Sequence, residues 1–265
     1  MDLRIDIQSP SPNAASQEGL PHEEIVGKVM IYELYKAVEE GDADKFDEVL
    51  KKQYVDCKLP PFSEVFDKVT LAGDSLLHVA ADLGKEKIVE RICDHFPELL
   101  IRRNVRGDTP LHVAAARSNS TIVKFFLSQY ATEKSKHDAM KDKEITRETN
   151  ECGDTPLHEA AYSGHFDVVK EILLADNDVV HYLNKSKRSP LCLAVLNGDT
   201  NILDLLLQIP LPEDQPLSMC RASSPLHTAI QQGNEGNPSL DQITIIFNVK
   251  KKSLLSSSQN NFSSG

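Results

Sequence analysis

The chain has 265 residues, with 29 Lys plus Arg against 40 Asp plus Glu, a net charge of −11, 40% hydrophobic residues, 6% aromatics and no Trp. These proportions suit a folded chain and exclude a fibrous or wholly disordered one. The acidity, with no Lys/Arg cluster interleaved with aromatics, argues against a nucleic-acid partner, which calls for a basic face, and no apolar run is long enough to span a bilayer.

Residues 1–28 hold Ser9-Pro10-Ser11-Pro12 and no apolar period, which predicts a disordered N-terminal arm. They also lack the uninterrupted apolar stretch of a secretory signal. The five cysteines, odd in number and without a C-x-x-C, fit free thiols in a reducing compartment. A first phrase, Y-E-L-Y-K-A-V, starts at Tyr32. After a linker at Tyr54–Ala72 containing Pro60-Pro61, it returns as G-D-S-L-L-H-V-A-A at Gly73–Ala81, G-D-T-P-L-H-V-A-A at Gly107–Ala115 and G-D-T-P-L-H-E-A-A at Gly153–Ala161. Degenerate copies start at Ser189 (S-P-L-C-L-A-V) and Ser224 (S-P-L-H-T-A-I). Marked by Tyr35, His78, His112, His158, Cys192 and His227, the copies lie 43, 34, 46, 34 and 35 residues apart.

Each position of the phrase has a mechanical reason. Thr109 and Thr155 are helix N-caps, and Pro110 and Pro156 take the first helical position, where no N–H is missed. The Leu and the Ala pair point inward, the Ala small enough for helices to approach closely. Gly84, Gly164 and Gly198 end the first helix in a left-handed turn, with Ser118 standing in the same place. A second helix follows with apolar spacing, as in Val168, Val169, Ile172 and Leu173 or Ile202, Leu203, Leu205 and Leu206. The pattern predicts an all-α solenoid of about five to six helix-turn-helix repeats with short β-hairpin-like loops, spanning residues 29–247.

Two irregularities interrupt it. The extra length in the longest spacing lies at 133–148 (EKSKHDAMKDKEITRE), whose five basic and five acidic residues predict a solvated, partly helical insertion. After Gly233 the stretch Asn234-Glu-Gly-Asn-Pro238 intervenes; Leu240, Ile243, Ile246 and Phe247 suit a displaced second helix, and 248–265 read as a disordered Ser/Asn-rich tail. No polar capping repeat is visible, so the C-terminal edge is expected to be covered by something else or to mark a shortened chain.

A unit of about 33 residues built on T-P-L-H resembles the ankyrin-repeat family, from Tyr32 to Gln232. Within that span, Asn104-Val-Arg-Gly-Asp-Thr-Pro-Leu-His, Asn150-Glu-Cys-Gly-Asp-Thr-Pro-Leu-His-Glu-Ala and Tyr182-Leu-Asn184 before Ser189-Pro-Leu and Ala194-Val-Leu-Asn-Gly198 resemble one branch. It is the plant ankyrin-transmembrane proteins of the accelerated-cell-death and salt-tolerance type, whose charged insertion is also similar. That resemblance implies cytosolic repeats acting in defence, cell-death and stress signalling, ordinarily followed by membrane helices, of which this sequence has none. It implies a cytoplasmic, membrane-associated place. The alternative role it implies is the soluble part of a membrane signalling or channel-like protein, with a membrane-protein partner at the C-terminal edge.

No signature of a phosphate-binding loop, dinucleotide fold, nucleophile elbow or H-E-x-x-H zinc helix occurs, so neither catalysis nor a cofactor is expected. His78, His112, His158 and His227 fall at equivalent places in successive repeats. Neighbouring helices pack about 8–10 Å apart, whereas zinc ligands lie about 2 Å from the ion, so this ladder holds no metal. The histidines are expected to tie each loop backbone to its neighbour, His165 to serve structure likewise, and Cys192 to be a packed thiol. The framework being spent on packing, function falls to the loop tips and the positions after the Ala pair, which line the concave face and suit a protein partner. These are Val105, Arg106, Asp108, Ala116 and Arg117; then Glu151, Asp154, Tyr162 and Ser163; then Lys185, Arg188, Leu196 and Asn197; then Arg221, Gln231 and Gln232. Arg117, Tyr162 and Arg188 rank first, because Arg and Tyr join large contact area to directional polar groups.

Overall fold

A computed structural model describes residues 22–56, 70–136 and 144–209, with 22–30 and 53–56 as backbone alone. Among the described residues the chain forms ten α-helices, two 3-10 turns and no strand. The helices come in pairs: α1 (His22–Glu40) and α2 (Ala43–Asp56), α3 (Leu76–Asp82) and α4 (Glu86–His95), α5 (Pro110–Ala116) and α6 (Ser120–Glu133). Then follow α7 (Pro156–Ser163) and α8 (Phe166–Ala175), and α9 (Pro190–Asn197) and α10 (Thr200–Leu207). Each helix packs on the other member of its pair. The odd-numbered helices also touch one another in order, as do the even-numbered ones. Two parallel rows in which each helix packs on its neighbours make a solenoid.

Seven-residue helices such as α3 and α5 are far below the ~12–15 residues at which an isolated helix begins to hold in water. Caps and packing sustain them instead. Ser75, Thr109, Thr155 and Ser189 sit at the N-cap with extended backbone, and the first three close a capping box with the histidine three residues on. Pro110, Pro156 and Pro190 take the first helical turn, and Gly164 and Gly198 cap α7 and α9 at φ 77° and 83°. Ala80, Ala81, Ala114, Ala115, Ala160 and Ala161 are fully buried between the rows. Ile88, Val89 and Ile92, then Ile122, Val123 and Phe126, then Val168, Val169 and Ile172, then Ile202, Leu203 and Leu206 carry the apolar face of the second row.

The structure departs from the expectations in two places. Helix α1 begins at His22, inside the segment expected to lack order. The insertion is not solvated at its ends. Helix α6 runs on through a buried Glu133, and on the return limb Ile145 is only 3% exposed and Thr146 is buried. Arg147 forks onto Asp176, Nε to Oδ2 at 2.6 Å and Nη2 to Oδ1 at 2.9 Å, and lies over the Tyr182 ring. Arg103 donates to Glu148 Oε2 and the Thr149 carbonyl, and Lys134 pairs with Glu144. The balanced charges thus pair with one another and with the framework. The centre of the insertion, most of the Tyr54–Ala72 linker, the copy at Ser224 and the C-terminal tail lie outside the described residues.

Candidate functional site

The loops before α5, α7 and α9 share one construction. Asn104, Asn150 and Asn184 open them. Their backbone N–H groups donate to the carbonyls of Asp108, Asp154 and Arg188, closing a hairpin-like turn without strands. Their Oδ1 atoms accept from N–H groups inside the same loop: Arg106 and Asp108, Cys152 and Asp154, and Arg188.

Three ties bind each loop to the one before. Backbone N–H groups of Val105, Glu151 and Lys185 donate to the carbonyls of Ala72, Arg106 and Cys152 at 2.8–2.9 Å. The amide nitrogens of Asn104, Asn150 and Asn184 donate to Oδ1 of Asp74, Asp108 and Asp154 at 2.8, 2.9 and 2.7 Å. The third tie is the histidine expected from the sequence: Nε2 of His78, His112 and His158 meets the carbonyls of Asp108, Asp154 and Arg188 at 2.8, 2.9 and 3.1 Å. A carbonyl only accepts, so Nε2 carries the proton. Nδ1 is bare, because the N–H groups of Ser75, Thr109 and Thr155 point at it. The imidazoles are therefore neutral. Burial pushes all three below the usual histidine range, His112 to about 4.

A second line of ties runs along the C-terminal ends of the first-row helices. Asn119, His165 and Asn197 donate side-chain N–H groups to the carbonyls of Ala81, Ala116 and Tyr162 at 2.7, 3.1 and 3.0 Å. His165 is thus a framework group, as expected, and Cys192 is a buried thiol to which the Ser189 hydroxyl points.

Against this frame the sequence-predicted residues divide. Arg106, Glu151, Lys185 and Arg188 stand exposed along successive loop tips. Arg117 (side chain 59% exposed) pairs through Nε with Asp82 of the previous repeat at 2.6 Å, and Tyr162 is 59% exposed one repeat further on. Asp108 is only 5% exposed; Oδ1 accepts from Asn150 and Oδ2 pairs with Arg106. Asp154 accepts from Asn184, and the amide of Asn197 is spent on Tyr162, so these three serve the frame. Arg221 and Gln231 lie outside the described residues.

Sequence reasoning missed Glu159 and the Asn-to-Asp ladder. The signal for the ladder was in plain view, since N-x-x-G-D recurs at Asn104 and Asn150. Glu159 occupies the place held by Val79, Val113 and Leu193, all buried, in the other repeats. Its carboxyl is pushed up to about 7, first by burial and then by Asp108 and Asp154, against the pull of Arg106 and a hydrogen bond from Asn150. Among the described residues no group of three or more His, Cys, Asp or Glu is placed to hold a metal ion. No helix among them is long and apolar enough to cross a membrane. The surface presents a stiff backbone, exposed cations and a tyrosine.

The family model described as ankyrin repeats (3 copies) matches residues 34–138 and 134–215, most of the chain. No curated protein matches it.

Proposed function

Because the chain belongs to the ankyrin-repeat family, we propose that it works without catalysis, as a scaffold that binds a partner protein along the concave face of loop tips and first-row helices. The observation that carries this reading is the triple tie at every described loop junction, which consumes the framework side chains and leaves a separate set facing outward. Arg106, Arg117, Glu151, Tyr162, Lys185 and Arg188 are that set. Asp108, Asp154 and Asn197 hold the loops and helix ends beneath them. Presenting such side chains on a fixed backbone lowers the ordering cost of binding. Alanine at Arg117, Tyr162 and Arg188 together is expected to weaken capture of the partner about a hundredfold, with helix content unchanged. Alanine at Lys87, Lys124 and Lys170, on the second-row helices, should leave capture intact. Partners identified by crosslinking in cell extract, equally abundant on both triple variants, would remove the concave-face reading.

A finer role rests on the resemblance of the Asn104, Asn150 and Tyr182 stretches to the plant ankyrin-transmembrane branch. In it the scaffold serves plant defence or stress signalling from the cytoplasm, as the soluble ankyrin part of a membrane-associated, channel-like assembly met through the C-terminal edge. Co-sedimentation of the tagged chain with membranes is the expected result; a chain found wholly in the supernatant would end it.

A further inference from the structure

The loop Asn184-Lys185-Ser186-Lys187-Arg188 breaks the pattern of its predecessors. Where they carry Gly73-Asp74, Gly107-Asp108 and Gly153-Asp154, it carries Lys187-Arg188. Lys187 nevertheless keeps the glycine conformation, at φ 59° against 70–78° for the three glycines. A side chain in that region is strained, and strain of this kind tends to persist where a site has use for it. The loop is still tied into the frame: Lys187 N–H donates to the Asn184 carbonyl, Arg188 N–H to Asn184 Oδ1 and Lys185 N–H to the Cys152 carbonyl, each at 2.9 Å.

Its arginine lacks the carboxylate pairing that most of the described arginines have. Arg91, Arg103, Arg106, Arg117 and Arg147 each have a carboxylate oxygen within 3.4 Å. Among the described residues neither Lys187 nor Arg188 has a carboxylate partner, and both are exposed. Lys185 has only Glu151, at 3.8 Å between two exposed side chains, a pair that water and salt screen heavily. In a chain of net charge −11 this is a rigid, locally basic tip.

We propose that the loop 184–188 is the docking point for a short acidic segment, rich in Asp and Glu, of the partner protein, with Lys187 and Arg188 taking its carboxylates. The inference rests on the scaffold reading and names the chemistry of one part of that surface. A short segment fits because screening confines the attraction to about 8–10 Å. A longer polyanion such as a nucleic acid would run onto Glu151, Asp154 and Glu159, and no exposed aromatic lies in the loop for a base to stack on.

The test is fluorescence anisotropy of labelled deca-glutamate titrated with the full chain, against deca-glutamine and a single-stranded oligothymidylate of equal charge. Binding of deca-glutamate that weakens with added salt is expected, with none of deca-glutamine. Lys187→Gly restores the residue the loop geometry favours, so it should raise the unfolding midpoint while weakening binding. With Arg188→Gln added, the loss should reach about tenfold. Equal binding by the double variant and the unaltered chain, no binding of deca-glutamate, or tighter binding of oligothymidylate each overturns the proposal. Arg117→Ala with Tyr162→Ala should leave the deca-glutamate titration unchanged while weakening partner capture. A failed titration with capture still dependent on Arg117 and Tyr162 therefore defeats this inference alone.

Discussion

Ser118 and Lys187 hold φ at 61° and 59° where other repeats place glycine, yet the two positions make different demands. At Gly84, the counterpart of Ser118, an added Cβ would meet only the Asn119 side chain, at 3.3 Å. At Gly107 and Gly153 an added Cβ would lie 2.9 and 2.8 Å from the backbone nitrogens of Glu151 and Lys185, the donors of the loop-to-loop bonds. Gly153→Ala therefore combines a strained φ with a clash against backbone that cannot step aside. It is expected to cost about 2–3 kcal/mol, whereas Ser118→Gly should gain about 0.5 kcal/mol. Urea unfolding midpoints measure both. A Gly153→Ala chain of unaltered stability would show that successive loops do not approach as closely as described.

At the scale of elements, the insertion is the instructive one. Its return limb is clamped by Arg147 onto Asp176 and Asp178, at the C-terminal end of α8, with Thr146 donating to Asp176 as well. The Arg147 bond holds the Asp176 carboxyl below the usual carboxylate range. That contribution is present above the ordinary carboxylate pKa and lost as pH falls through the lowered one. Because Arg147 is partly exposed, the pair is screened, and Arg147→Ala is expected to cost about 1–2 kcal/mol. Arg147→Lys should recover only part of it, since an ammonium cannot reproduce the fork. Hydrogen exchange at 144–149 should speed up in both variants; unchanged exchange in Arg147→Ala would mean that Ile145 alone docks the limb. The fifth repeat differs in another respect. With Arg188 for aspartate and Cys192, a far weaker donor, for histidine, it lacks two of the three groups by which the earlier loops receive a following one, and Lys187 replaces the glycine that gives that loop room to approach.

Across the whole molecule the identical histidine ties add up. His78, His112 and His158 are neutral in the fold and depressed by burial, so the unfolded chain binds more protons once pH falls below the ordinary histidine value of about 6.5. Their contribution is complete above that value and drains away in acid; for His112, with its folded value at about 4, it amounts to about 3 kcal/mol. Glu159 works in the opposite sense. Raised to about 7, it stabilises below the ordinary glutamate value, and that contribution is lost as pH rises through 7. The histidine and glutamate contributions run in opposite directions between pH 4.5 and 7, so stability should climb towards neutrality less steeply than the histidines alone would drive it, then level off above 7. Glu159→Gln should steepen the climb below pH 7 and raise stability at pH 8 by about 1–2 kcal/mol. Unfolding midpoints measured from pH 4.5 to 8 check this, and a flat acid limb would contradict the neutral, doubly bonded imidazoles.

The helix pairs, their caps, the left-handed turns and the task of the histidines were legible in the amino-acid order, because each answers a local need. An N-cap wants an oxygen, a first turn tolerates Pro, a helix end wants a residue without Cβ, and the period repeats the answer. Which side chains stay free for a partner was not legible. Asp108 and Asn197 read as surface residues, yet one is locked by Asn150, 42 positions away, and the other by Tyr162, 35 positions away. Glu159 and Arg147 likewise owe their character to groups on neighbouring repeats. Periodicity reports what a segment does for itself. The fate of a polar side chain is settled by the donor or acceptor that the next repeat brings within 3 Å, and that meeting exists only once the repeats are stacked.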